Sequence, residues 1–141
     1  LGISYEMAKE KVLENIKNGK AYNKFLEFIE YQHGDINKLP KAKNKYEIRS
    51  LNSGYISNID ALSLGKLSMN LGAGRESLED TIDYGAGIVL NKTVGDSVEI
   101  DDILMTLYTD KEIDESSLQN DAFTITKEVR KDLELIYKVL N

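Results

Sequence analysis

The stretch GIVLNKTVGDSVEIDDILMTLYT occupies residues 87–109. Its apolar residues fall in short runs instead of at helical spacing. Gly87–Leu90 is a short apolar segment that reads as a strand. VGDSV, residues 94–98, reads as a turn between strands, because Gly95-Asp96 supplies the positive φ that such a turn needs. Ile103–Tyr108 is an apolar run broken only by Thr106, the pattern of a strand buried on both faces. Working outward, Tyr46–Ser50, Gly54–Asn58 and Phe123–Thr126 are further strand candidates. Asp60 is placed to cap a helix over 61–70 with Leu64, Leu67 and Leu71 inward. A short helix is expected over 114–120. Val129, Leu133, Ile136, Tyr137 and Leu140 mark a terminal amphipathic helix.

The N-terminal third has a different period. Tyr5, Ala8, Val12 and Ile16, with Leu13 beside them, recur at steps of three and four behind the N-cap candidate Ser4. Asn18-Gly19 ends that helix, with Gly19 suited to the left-handed C′ position. A second helix is expected from Lys20 to Gln32, with Ala21, Phe25, Phe28 and Ile29 on its face and Gly34 as its stop. The two apolar faces have too few partners within such a pair, so they must pack on something else. The organisation expected is α+β: a helical hairpin over 1–34, a polar linker over 35–45 carrying the single proline, and a mixed domain over 46–141 closed by a C-terminal helix. A chain that opens on Leu1-Gly2 in mid-pattern reads as a piece of something longer.

Composition narrows the function classes. The 141 residues carry 18 basic and 24 acidic side chains, a net charge of -6 that offers no concentrated basic face for nucleic acid. The basic stretch Lys38–Lys45 is interrupted by Leu39, Pro40, Ala42 and Asn44 and reads as a solvated linker. There is no cysteine, which removes disulfides, cysteine-bound metal and a thiol nucleophile, and fits a reducing, cytoplasmic setting. No apolar run reaches the ~18 residues that cross a membrane. Neither a nucleic-acid nor a membrane partner is expected.

One stretch invites a site. LGAGRESLEDTID, residues 71–83, sets two glycines and Arg75 ahead of Glu76, Glu79, Asp80 and Asp83. A phosphate cradle needs such a loop to follow a strand and open a helix. Here it follows a helix, has no Lys-Ser or Lys-Thr after the glycines, and carries acids that repel an anion. The expectation is structural: Gly72 left-handed at a helix end, Gly74 freeing the turn, and Arg75 reaching back to helix carbonyls or across to Asp80 or Asp83. The acids read as helix-dipole and surface residues instead of metal ligands. His33, the single histidine, falls at a helix end with no relay partner placed by sequence. No catalytic, phosphate-binding or metal-binding residue is assigned.

Several segments together resemble one family. NGKA at 18–21, Phe25, Gln32 and Gly34-Asp35 are followed by SGYI at 53–56 and MNLGAGR at 69–75. DTID at 80–83, AGIVL at 86–90, VGDSV at 94–98 and the ILMTLY strand complete the series. In this order they resemble the C-terminal part of pyrimidine-nucleoside and thymidine phosphorylases, over about residues 1–110. The resemblance implies an α/β-hammerhead-type domain preceded by two helices of a neighbouring α/β domain. It implies a parent that cleaves thymidine or uridine with phosphate as co-substrate, giving the base and a pentose 1-phosphate. In known members the phosphate loop and the base-binding Arg, Ser and Lys lie earlier in the chain, so this segment alone is expected to be inactive, without a cofactor. The implied partner is the N-terminal catalytic part of the same polypeptide, in a homodimer formed through a helical domain outside this sequence. Gly72, Gly74, Arg75, Asp80 and Asp83 then belong to a structural, interdomain loop that helps closure over substrate.

Two other readings remain open at this level. Residues 86–112 also resemble half of a biotinyl or lipoyl carrier barrel, with Lys111 as the loose candidate for a modified lysine. The helical hairpin would alternatively serve as the docking surface of a free-standing interaction protein.

Overall fold

In the computed structural model, which describes residues 2–75, 77–114 and 121–129, the chain forms two compact units, residues 1–39 and 40–141. The first begins at Ser4, whose hydroxyl accepts the Met7 amide at 3.3 Å and starts α1 (Tyr5–Lys17). Gly19, at φ +77, turns the chain, and the Asn18 carboxamide accepts the amide of Lys20, the first residue of α2 (Lys20–Tyr31). α2 ends in a Schellman motif: the Gly34 amide donates to the Ile29 carbonyl and the His33 amide to that of Glu30, both at 2.9 Å. The left-handed residue of this motif is His33, at φ +59, instead of the glycine beside it. Histidine tolerates this region better than most side chains. Gly34 is held for space, since a Cβ there would stand 2.9 Å from the Ile29 Cγ2.

No residue of α1 or α2 is buried. Beyond α2, Asp35 accepts the Asn37 amide and starts a 3-10 turn, Ile36–Lys38. That amide bond holds the Asp35 carboxyl below the usual carboxylate range.

The second unit is a mixed α+β arrangement whose described strands form two small antiparallel sheets. β1 (Asn44–Arg49), β3 (Gly87–Leu90) and β5 (Ile103–Thr109) make one, in the order β1-β5-β3. β2 (Gly54–Ile59), β4 (Ser97–Val98) and β6 (Phe123–Thr126) make the other, in the order β4-β2-β6. β5 is central because its run is apolar on both faces, and Leu104, Met105 and Leu107 are fully enclosed. Ile48, Ile56, Leu71, Val98, Ala122 and Phe123 complete the core.

The turn at Gly95 (φ +96) does not fold β3 back on β4. It carries the chain from one sheet to the other, held to β2 by the Gly95 amide on the Ile56 carbonyl at 2.8 Å and the Ile56 amide on the Asp96 carbonyl at 3.0 Å. Register shifts at Ile48/Arg49 and Ile56/Asn58 bend the two strands that face these crossings. Asp60 caps α3 (Ala61–Ser68) by accepting the Leu62 and Ser63 amides. α3 is shorter than its sequence pattern implies, because Met69–Ala73 winds into a wider, π-type turn. Helices expected at 114–120 and after Val129 fall outside the described residues, Asp114 and Val129 themselves excepted.

Candidate functional site

Leu64 and Leu67 lean on the core and Leu71 is buried in it, so α3 delivers its C-terminal end to the end of β5. There the chain must turn sharply. Gly72 does so at φ +109, buried, where a Cβ would come within 3.3 Å of the Asp83 Cβ. The expectation for Gly72 holds. Gly74 plays a different part from the one expected. Its backbone is extended (φ -140, ψ 177), a shape open to any residue, and space is what limits it, with Met69 3.3 Å from a Cβ built there.

Residues 77–83 form no helix, so the acids there are not helix-dipole residues. Asp80 instead accepts the Ser77 amide at 2.8 Å and the Ser77 hydroxyl at 2.9 Å, closing a local turn. Short polar side chains that bond nearby amides compete with helix formation in this way. Asp83 accepts the Gly85 amide at 2.8 Å and the Asp110 amide at 3.3 Å. Its own amide donates to the Gly72 carbonyl at 2.9 Å, drawing the two ends of the loop together. Arg75 is exposed and, among the described residues, makes no ion pair with Asp80 or Asp83. Backbone donors two or three residues away engage those carboxylates without ordering a long side chain.

Thr109, Asp110 and Lys43, to which the sequence reading gives no site role, hold the base of this loop together with Lys111, which it weighs only as a carrier lysine. The fully buried Thr109 hydroxyl donates to the Leu71 carbonyl at 2.6 Å and accepts the Lys111 amide at 3.1 Å. Lys111 Nζ donates to the Asn70 carbonyl at 2.6 Å. Asp110 pairs with Lys43 at 2.9 Å and also accepts the Lys43 amide. The hydrogen bond from the Lys43 ammonium holds the Asp110 carboxyl below its usual range, and the same bond raises Lys43. The only hint in sequence was polarity at the end of an apolar strand, since Leu71 and Thr109 lie 38 residues apart along the chain and Lys43 and Asp110 lie 67 apart.

Around this base opens a cleft of about 770 Å³, lined by residues 69–72, Gly74, Asp80, Thr81, Asp83, Asp110 and Lys111. Three carboxylates face one ammonium, and that ammonium is bound to a carbonyl. Such a lining does not cradle a phosphate. Among the described residues no group of three or more His, Asp or Glu is placed to hold a metal ion. No described helix is long and apolar enough to cross a membrane. The tie from Lys111 to Asn70 also counts against a carrier lysine, which needs a free amine at a hairpin tip.

Comparison with known proteins bears on the same residues. The family model for the pyrimidine nucleoside phosphorylase C-terminal domain matches residues 55–126, from β2 to the end of β6. The chain is 40% identical over 144 aligned residues to a pyrimidine-nucleoside phosphorylase of Staphylococcus epidermidis, covering 97% of this chain and 33% of that one. At that coverage the match takes in the helical pair. It is 43% identical to the Bacillus subtilis pyrimidine-nucleoside phosphorylase over 74% of this chain and 26% of that one. It is 38% identical to a thymidine phosphorylase of Metamycoplasma hominis over 94% of this chain and 52% of that one. The chain thus spans from about a quarter to about half of the length of these curated relatives. With the match running through both sheets and the loop between them, the chain belongs to the pyrimidine nucleoside phosphorylase C-terminal domain family.

Proposed function

We propose that this chain is the C-terminal structural domain of a pyrimidine-nucleoside phosphorylase and carries none of the groups that touch the reacting atoms. In the parent, phosphate attacks C1′ of thymidine or uridine. The C1′–N bond breaks, the base leaves with the electron pair, and a pentose 1-phosphate forms. Such a reaction needs an anion held in line and stabilisation of an oxocarbenium-like state. The observation that carries the proposal is the 97% coverage of this chain by a phosphorylase of which it matches only a third. The acidic lining of the cleft agrees with it, because an anionic nucleophile would be held elsewhere.

In this reading the mixed unit is of the hammerhead type, closed by a C-terminal helix, and the helical pair belongs to the preceding α/β domain. The partner is the N-terminal catalytic part of the same polypeptide, in a cytoplasmic homodimer assembled through another helical region. Phosphate is the parent's co-substrate, and no cofactor is assigned to this segment. The Gly72–Asp83 loop takes part in closure over substrate, with Arg75 its outward charge. Arg75→Ala in the full-length enzyme is then expected to change kcat and KM together in steady-state phosphorolysis of thymidine and uridine. Unchanged kinetics would remove the loop from the mechanism.

A further inference from the structure

Among the described residues Arg75 makes no ion pair with Asp80 or Asp83, while the base of its loop is held by bonds of its own. Three bonds converge there. The Asp83 amide closes the neck on the Gly72 carbonyl, the Thr109 hydroxyl holds the Leu71 carbonyl, and Lys111 Nζ holds the Asn70 carbonyl. Asn70 and Leu71 lie in the wide turn after α3, where carbonyls lack the regular helical partner and need outside donors. Of the three, the Thr109 bond is the one wholly removed from water, since Thr109 is 0% exposed and Leu71 1%. It is also a two-way link. The hydroxyl that donates to Leu71 accepts from the Lys111 amide, and so fixes the place from which Lys111 reaches Asn70.

We propose that Thr109 is a positioning residue for phosphorolysis, setting through the Leu71 carbonyl the direction in which the Gly72–Asp83 loop presents Arg75. This rests on the reading that the loop closes over substrate in the parent enzyme. Thr109 touches neither substrate nor phosphate. It acts through a rigid strand end, and a β5 enclosed on both faces transmits position with little slack. A small displacement at the base of such a loop is amplified at its tip, and positional errors of about 1 Å can cost up to about 100-fold in rate.

The test compares Thr109→Val, which keeps shape and loses the hydroxyl, with Thr109→Ser, which keeps the hydroxyl, in the full-length enzyme. Hydrogen exchange over residues 72–84 is followed by mass spectrometry beside steady-state kinetics. The expected result is faster exchange in the loop and a loss in kcat/KM of about tenfold or more for Thr109→Val. Thr109→Ser is expected to restore both. The double variant Thr109→Val, Arg75→Ala should be no worse than Arg75→Ala alone, because both act through one group. Impaired Arg75→Ala with a normal Thr109→Val overturns this inference and leaves the role of the loop intact. Equal losses in Thr109→Val and Thr109→Ser, tracking a fall in Tm, also overturn it, since packing alone would explain them. A normal Arg75→Ala overturns the loop reading, and the inference falls with it.

Discussion

Two of the three phenylalanines, Phe25 and Phe28, stand on α2 with 50% and 60% of their surface exposed, while the third, Phe123 on β6, keeps 8%. The local patterns that place them are equally regular. α2 repeats its apolar residues at helical spacing, and β6 follows Ala122 into the core. What separates them is a partner. β2 and the core stand beside β6, whereas no residue of α1 or α2 is buried within the described residues. Apolar periodicity reports that a face is made to be covered, and it is silent about what covers it. In the second unit the cover lies along the same chain. For the first, the proposed function places it in the α/β domain of the parent.

The sharpest way to break this comparison is Leu107→Ala, at the centre of β5. A fully buried leucine should cost about 2–5 kcal/mol. Urea unfolding followed by the near-UV signal of Tyr46, Tyr55 and Tyr108 would read it, and a cost below about 1 kcal/mol would deny the second unit a real core.

A smaller effect is expected at Asp102, which accepts Lys92 Nζ at 2.9 Å and the Glu99 amide at 3.1 Å. The Lys92 hydrogen bond holds its carboxyl below the ordinary value of 3.8. A depressed carboxylate lends stability above its unfolded value and loses it as pH falls through the folded one. Asp102→Asn should therefore lower Tm at neutral pH, and the gap from the wild type should close as pH falls below 3.8. A gap that persists in acid would assign the effect to packing instead of charge. The smallest effect belongs to α2. Phe25→Ala in this chain should stay within about 0.5 kcal/mol, as for other exposed positions, by thermal melting in far-UV circular dichroism. A loss comparable to that of Leu107→Ala would show that the hairpin face is already covered, and the contrast between the units would vanish.

These contrasts also explain what was legible in the sequence. The strand runs, the Ser4 and Asp60 caps and the left-handed Gly19, Gly72 and Gly95 follow from local chemistry, and each stands where its residues imply. The sheet order was not legible. VGDSV has the composition of a hairpin turn, yet β3 pairs with β5 and β4 with β2, because pairing is decided by distant partners and not by the turn. The helix expected beneath the acidic run is absent over 77–83, where Asp80 bonds the Ser77 amide and hydroxyl instead; Glu79 and Asp80 lie at the surface as expected, and Glu76 falls outside the described residues. The base of the candidate site was hidden because Thr109 and Asp110 carry no motif and Lys111 suggests only a carrier lysine. Their role arises only when β5 ends beside the turn after α3. The family resemblance reached further than any single motif, because it rests on the order of many short segments.

The interleaved strand order has a consequence in time. Ser57 on β2 bonds to the Thr124 carbonyl on β6, 67 residues later. A ribosome adding about 5–20 residues per second leaves β2 without that neighbour for about 3–13 s. β1 likewise waits for β5, and neither sheet closes as a local hairpin. Such long-range pairing folds slowly for its size. Nascent chains of this unit expose β2 to whatever else is at hand, so its assembly is a late event in synthesis, after most of its length has been made.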